Sequence, residues 1–117
     1  MNHFTYHRGA LHAEEVPLAA IAQAVGTPTY LYSTATLTRH FRVVREAFGQ
    51  HPHHICYSVK ANSNLAVLHL FAQGGGGFDI VSGGELARVC QAGGAPSRTV
   101  FAGLGKTPEE MGQALAA

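Results

Sequence analysis

Short apolar runs alternate with longer stretches of helical periodicity along most of this chain, and that alternation restricts the fold more than any other feature. Residues 55–59 (Ile55-Cys56-Tyr57-Ser58-Val59), 78–81 and 99–102 each read as a strand, and so does the run Thr29-Tyr30-Leu31-Tyr32. Helical patterns separate them. Residues 17–25 place Leu18, Ile21, Ala22 and Val25 on one face, with Pro17 suited to the first helical position and Gly26 as the stop. Ser33 caps a second helix carrying Leu37, Phe41, Val44 and Phe48 at helical spacing. Ser63 or Asn64 caps a third, with Leu65, Leu68 and Ala72 on one side. Ser82-Gly83-Gly84-Glu85 has capping-box spacing and opens a fourth, with Leu86, Val89 and Cys90 facing inward. Thr107-Pro108-Glu109-Glu110 repeats that spacing before a fifth, whose apolar face begins at Met111 and Leu115.

Strand and helix in alternation, at the period of one βα unit, imply an α/β fold with a parallel sheet, rolled up or doubly wound. Residues 4–13 do not fit that rhythm. They are short and extended, turned at Arg8-Gly9, and are expected to belong to another layer. The chain ends inside a helical pattern, at Leu115-Ala116-Ala117, with no stop signal. A closed barrel needs about eight units and roughly 250 residues. The 117 residues are therefore expected to be the N-terminal part of a longer protein.

Composition removes several function classes. The net charge is +1 and no basic face is clustered, which excludes a nucleic-acid footprint. No apolar stretch is long enough to span a bilayer as a helix, and the first eight residues lack the apolar core of a signal peptide, so the cytoplasm is the expected compartment. Cys56 and Cys90 make neither a CxxC motif nor a disulfide framework and read as buried thiols. His51, His53 and His54 crowd a polar turn with no matched ligand cluster elsewhere, so no metal site is expected. His40 and His69 are expected to face solvent. Gly105-Lys106-Thr107 mimics the end of a phosphate-binding loop, but the earlier glycine would fall at Val100 and the motif fails.

The chemistry-bearing candidate is Lys60, which follows the apolar run 55–59 and precedes Ala61-Asn62-Ser63-Asn64. A strand end ahead of a helix cap is where a barrel enzyme displays a reactive group. An amine in a partly dry pocket loses its proton more readily and condenses with an aldehyde. By position alone, a strand-end lysine is more often a snorkelling side chain; the residues around it decide the matter. Asp79, inside or at the edge of a strand, needs a partner if buried, and Lys60 offers one. Glu85 already has a structural explanation as the far half of a capping box.

Those surroundings resemble a known family. Tyr57-Ser58-Val59-Lys60-Ala61-Asn62-Ser63-Asn64-Leu65-Ala66-Val67-Leu68, followed by Gly77-Phe78-Asp79-Ile80-Val81-Ser82-Gly83-Gly84-Glu85-Leu86-Ala87-Arg88, is similar to the pyridoxal-phosphate decarboxylases with an alanine-racemase-like barrel, the fold type III group. Gly26-Thr27-Pro28-Thr29-Tyr30-Leu31-Tyr32-Ser33 and Gly103-Leu104-Gly105-Lys106-Thr107 also fit. The resemblance runs almost from end to end. It implies a (β/α)8 barrel that binds pyridoxal 5'-phosphate, plus a β domain to which the extreme N-terminus contributes. On that basis residues 1–25 pack partly with the β domain, and residues 26–117 form the first half of the barrel. It implies Lys60 as the lysine that condenses with the cofactor aldehyde, Asp79 and Glu85 as acids near it, and a homodimer with active sites at the interface. The implied reaction is decarboxylation of an amino acid, with meso-2,6-diaminopimelate the best-matched substrate and lysine the product.

Relatives of this type often carry a His-Gly-Asn sequence where this chain reads Ala102-Gly103-Leu104-Gly105, which removes polar groups near the barrel mouth. Their ring-stacking histidine, phosphate loops, pyridine-pairing acid and dimer-mate cysteine lie beyond residue 117. The alternatives are a decarboxylase acting on ornithine, arginine or carboxynorspermidine, a racemase, a non-catalytic pyridoxal-phosphate barrel, or a nucleotide-binding α/β domain.

Overall fold

The computed structural model describes residues 2–117. The chain divides into two compact units, one ending at Val43 and the other running Val44–Ala117.

In the first unit, β1 (Phe4–His7) and β2 (Ala10–Ala13) form an antiparallel hairpin that pairs Phe4 with Ala13 and His7 with Ala10. Its turn, Arg8-Gly9, has φ of 49° and 81°. Two successive left-handed residues match the twist of the flanking strands, and glycine adopts that conformation without a Cβ penalty. A short β3 (Val16–Pro17) extends the sheet from β2, and α1 (Leu18–Val25) follows directly. Helix α2 (Thr34–Phe48) begins at the expected cap: Ser33 Oγ accepts from the Thr36 N–H at 3.0 Å. Glu14, from the turn after β2, adds to it. Its Oε1 accepts from Ser33 Oγ at 2.7 Å and from the Ala35 N–H at 2.9 Å. The Ala35 and then the Ser33 hydrogen bond hold the Glu14 carboxyl below the usual carboxylate range.

Residues 29–32 were expected as a strand, and no ladder forms on them among the described residues. Tyr30 is 92 % exposed. Alternating aromatic and branched side chains favour extended backbone, but a strand exists only where a neighbour takes up its N–H and C=O groups.

The second unit is built on a parallel sheet of β4 (Cys56–Ser58), β5 (Gly77–Ile80) and β6 (Thr99–Phe101), lying in chain order. Tyr57 pairs with Phe78 and Phe78 with Thr99; Ser58 pairs with Asp79; Ile80 pairs with Phe101. Helices α3 (Leu65–Gln73), α4 (Gly83–Gln91) and α5 (Pro108–Ala116) follow the strands in turn. Val59, Leu68, Phe78, Ile80 and Val89 are fully buried in one cluster with Leu86 and Ala92, and Tyr57, Phe71, Phe101 and Ala114 pack around it. Strand residues alternate between faces, so Tyr57, Phe78, Ile80 and Phe101 all meet the helices.

Three local expectations change. The first strand stops at Ser58, and Val59–Ala61 form a 3-10 turn. Cys90 is exposed and Cys56 half-buried. The core stripe of α4 and its C-terminus runs through Leu86, Val89 and Ala92 at intervals of three, which leaves Cys90 on its flank. On α5 the packed residue is Ala114, while Leu115 is 90 % exposed. Among the described residues, no helix is long and apolar enough to cross a membrane.

Candidate functional site

In a parallel sheet all strand ends point the same way, so the segments after β4, β5 and β6 share one edge. They are the Lys60 turn, the Ser82-Gly83-Gly84-Glu85 helix start and the Gly103-Leu104-Gly105-Lys106 loop. The sheet face opposite the helices carries Cys56, Ser58, Gly77, Asp79 and Val100, by alternation and by register. Ser58 and Asp79 are half-buried on it, and Ser58 Oγ donates to Asp79 Oδ2 at 3.2 Å.

Lys60 sits at the centre of the 3-10 turn, with its side chain exposed. The turn is held from several sides. Val59 is fully buried. The Tyr57 ring stacks on Phe71 with centroids 4.2 Å apart, and its hydroxyl donates to the Asn62 carbonyl at 3.2 Å. Asn62 Oδ1 accepts from the Asn64 N–H, and Asn64 Oδ1 caps α3 by accepting from the Ala66 N–H, each at 2.9 Å. Arg88 Nη1, from α4, donates to the Ser63 carbonyl at 3.3 Å. The root of Lys60 is thus fixed, while its amine makes no hydrogen bond or ion pair among the described residues.

The sequence contains one other lysine, Lys106, and its environment is the opposite. Lys106 Nζ donates to the Gly103 carbonyl at 2.6 Å and to the Ala102 carbonyl at 3.4 Å, and lies 5.6 Å from the centre of the Phe101 ring. Its ammonium closes the loop after β6 and is occupied there.

The acids divide as well. Asp79 lies on the open face, on the strand next to that of Lys60, and no ion pair joins the two. Glu85 turns its carboxylate to the backbone: Oε2 accepts from the Val81 N–H at 2.8 Å, while Ser82 Oγ accepts from the Glu85 N–H at 3.2 Å. The expected capping box is therefore half formed, with Val81 replacing the cap residue as the donor to Glu85. The box at Thr107 and Glu110 is complete. Glu110 does more than cap its own helix. Its Oε2 accepts from the Thr107 N–H at 2.9 Å, and its Oε1 reaches the start of α4 to accept from the Gly83 N–H at 2.8 Å. A Cβ on Gly83 would lie 3.3 Å from both Glu110 Cγ and Glu110 Oε1, so glycine makes room for the bridge. The Gly83 bond first, then the Thr107 bond, hold the Glu110 carboxyl below the usual range.

His53 Nδ1 donates to the His51 carbonyl at 2.6 Å and its ring stacks on Phe48, consistent with a packed polar turn. Among the described residues, no group of three or more His, Cys, Asp or Glu side chains converges on a common point. An unengaged primary amine on a fixed root, with a carboxylate on the adjacent strand, suits an aldehyde-bearing cofactor. Sequence reasoning singled out Lys60, Asp79 and Glu85. It missed the Ser58–Asp79 bond, the Tyr57 and Arg88 braces and the Glu110 bridge. All four depend on the register of neighbouring elements, which no local spacing encodes.

The sequence pattern of the family described as pyridoxal-dependent decarboxylase, pyridoxal binding domain, matches residues 34–117. The chain is 57 % identical over 116 residues to the diaminopimelate decarboxylase of Vibrio cholerae, covering 98 % of this chain and 28 % of that relative. It superposes with a TM-score of 0.91 on the crystal structure of AQ1208 from Aquifex aeolicus, at 43 % identity, over 97 % of this chain and 28 % of that one. It superposes with a TM-score of 0.92 on the diaminopimelate decarboxylase of M. jannaschii in co-complex with L-lysine, at 29 % identity, over 97 % of this chain and 27 % of that one. The chain therefore spans a little over a quarter of the length of these relatives, and its α/β fold is that of the N-terminal part of their barrel. It belongs to the pyridoxal-dependent decarboxylases, in the region of their pyridoxal binding domain.

Proposed function

We propose that the protein carrying this chain decarboxylates meso-2,6-diaminopimelate to L-lysine, with pyridoxal 5'-phosphate held by Lys60. The observation that carries this reading is the contrast between the two lysines: Lys106 is engaged by two carbonyls, and Lys60 is engaged by nothing among the described residues. A lysine that must bond to an aldehyde and later let go of it needs a fixed root and an uncommitted tip. The Vibrio cholerae relative is named diaminopimelate decarboxylase, and the M. jannaschii relative was solved in co-complex with L-lysine.

When bound, the cofactor supplies an electron sink for the charge left at the substrate Cα after carbon dioxide departs. This chain's residues supply the attachment and part of the proton handling. Lys60 Nζ is the nucleophile and, once displaced, the carrier of a proton. Asp79 is the acid that receives the ammonium form of Lys60 on the open face of the sheet. Tyr57, Asn64 and Arg88 keep the turn from collapsing onto the core when Lys60 moves. On the same reading, residues 1–25 pack partly with a β domain, residues 26–117 form the first half of the barrel, and the whole protein works as a cytoplasmic homodimer.

The test uses the full-length holoenzyme. Borohydride reduction followed by peptide mass analysis is expected to leave a pyridoxyl tag on Lys60. Lys60→Ala is expected to lose the visible absorbance of the bound cofactor and to lower carbon dioxide release from meso-diaminopimelate by about a thousandfold or more. A tag on another residue overturns the assignment of Lys60. Release of carbon dioxide from ornithine or arginine but not from diaminopimelate overturns the substrate.

A further inference from the structure

We infer that Ser58 is a positioning residue for Asp79, an inference that rests on the reading just given. Ser58 and Asp79 are register partners on β4 and β5, so their side chains rise from the same face of the sheet. Ser58 Oγ donates to Asp79 Oδ2 at 3.2 Å. It is the only hydrogen bond made by the Asp79 carboxylate among the described residues.

The terminal torsion of an aspartate is broad and two-fold, so an unrestrained carboxylate presents either oxygen in any of a range of directions. One donated hydrogen bond to Oδ2 removes that freedom and directs Oδ1 away from Ser58. Lys60 follows Ser58 by two residues, across a turn whose first residue is anchored in the core. When Lys60 is not bonded to an aldehyde, an oriented Oδ1 is a defined hydrogen-bond seat for its amine.

The choice of residue supports the same view. A half-buried hydroxyl at Ser58 is costly without a partner. Alanine would serve the packing alone. The structure assigns the Ser58 hydroxyl a single engagement as donor, and that engagement points into the site rather than into the core.

The experiment compares Ser58→Ala, Ser58→Thr, Asp79→Asn and the Ser58→Ala/Asp79→Asn double variant in the full-length protein. Two quantities are read: the rate at which the apoprotein captures added pyridoxal 5'-phosphate, followed by visible absorbance, and kcat and KM with diaminopimelate. Ser58→Ala is expected to slow both capture and kcat by about tenfold, with KM changed by less than about twofold. Ser58→Thr, which keeps the hydroxyl, is expected to recover to within about threefold of the parent. In the Asp79→Asn background, Ser58→Ala is expected to add less than about twofold, because the partner it positions is already altered. Parent-like rates for Ser58→Ala overturn the inference, and so does an undiminished tenfold loss in the Asp79→Asn background. Borohydride tagging separates the two levels. No tag on Lys60 in the parent overturns the functional reading and this inference with it. A tag in both parent and Ser58→Ala, with equal rates, overturns the role of Ser58 alone.

Discussion

On one side of the parallel sheet, Phe78 and Ile80 are wholly removed from solvent and packed against Leu68, Leu86 and Val89. On the other side of the same strands, Ser58 and Asp79 are half exposed and joined by one hydrogen bond. Phe78 and Asp79 are consecutive residues, yet one is buried in the core and the other lies on the opposite face. The difference shows how a βα unit separates stability from chemistry. Each large apolar side chain buried on the helix side stabilises the fold by about 1.5–3 kcal/mol. The opposite face of these two strands carries the Ser58–Asp79 pair in place of large apolar side chains.

The largest effect expected from breaking this comparison comes at the adjacent pair Phe78 and Asp79, in the full-length protein. Phe78→Ala is expected to cost about 3–5 kcal/mol in denaturant titration. Asp79→Asn is expected to leave that stability within about 1 kcal/mol while lowering kcat by at least about tenfold. Equal losses of stability would mean that the two faces are not separable.

A smaller effect is expected at Gly77, where the sheet is tightest. A Cβ there would fall 2.3 Å from the Arg98 carbonyl oxygen and 2.9 Å from Cys56 Sγ. Gly77→Ala is expected to destabilise by about 1–3 kcal/mol, since strand backbone has to shift. The same titration checks it.

The smallest effect concerns pH and the rim. The Glu110 carboxyl is held below the ordinary glutamate value of 4.5 by the Gly83 and Thr107 N–H groups. Its folded form therefore prefers the carboxylate, and the stabilisation is complete above 4.5 and is lost as pH falls below it toward the lower folded value. The gap in melting temperature between the parent and Glu110→Ala is expected to be present at neutral pH and to close in acid. A gap independent of pH would show that the Gly83 and Thr107 bonds are not its source.

Much of this was legible in the sequence, for identifiable reasons. Caps announce themselves over short spans, so Ser33, Ser82 and Thr107 were placed correctly, and the choice between Ser63 and Asn64 falls to Asn64. The parallel sheet followed from the alternation of elements. The run at residues 29–32 was misread because β preference is local while pairing is not. Cys90 was misread because apolar spacing fixes the side of a helix but not the width of its contact. At the site, Lys60 stood out through the motif around it. Ser58 did not: a serine inside a strand looks like a defect until the register shows which side chain stands beside it.

The engagement of Lys106 has a practical corollary. Amine-directed reagents have two side-chain nitrogens to choose from in this stretch of sequence, and one of them is already held by the Ala102 and Gly103 carbonyls. Of these two side chains, an aldehyde or activated-ester warhead would meet one uncommitted amine, that of Lys60. Selectivity in covalent labelling would then follow from which amine is tethered, with no shape recognition required.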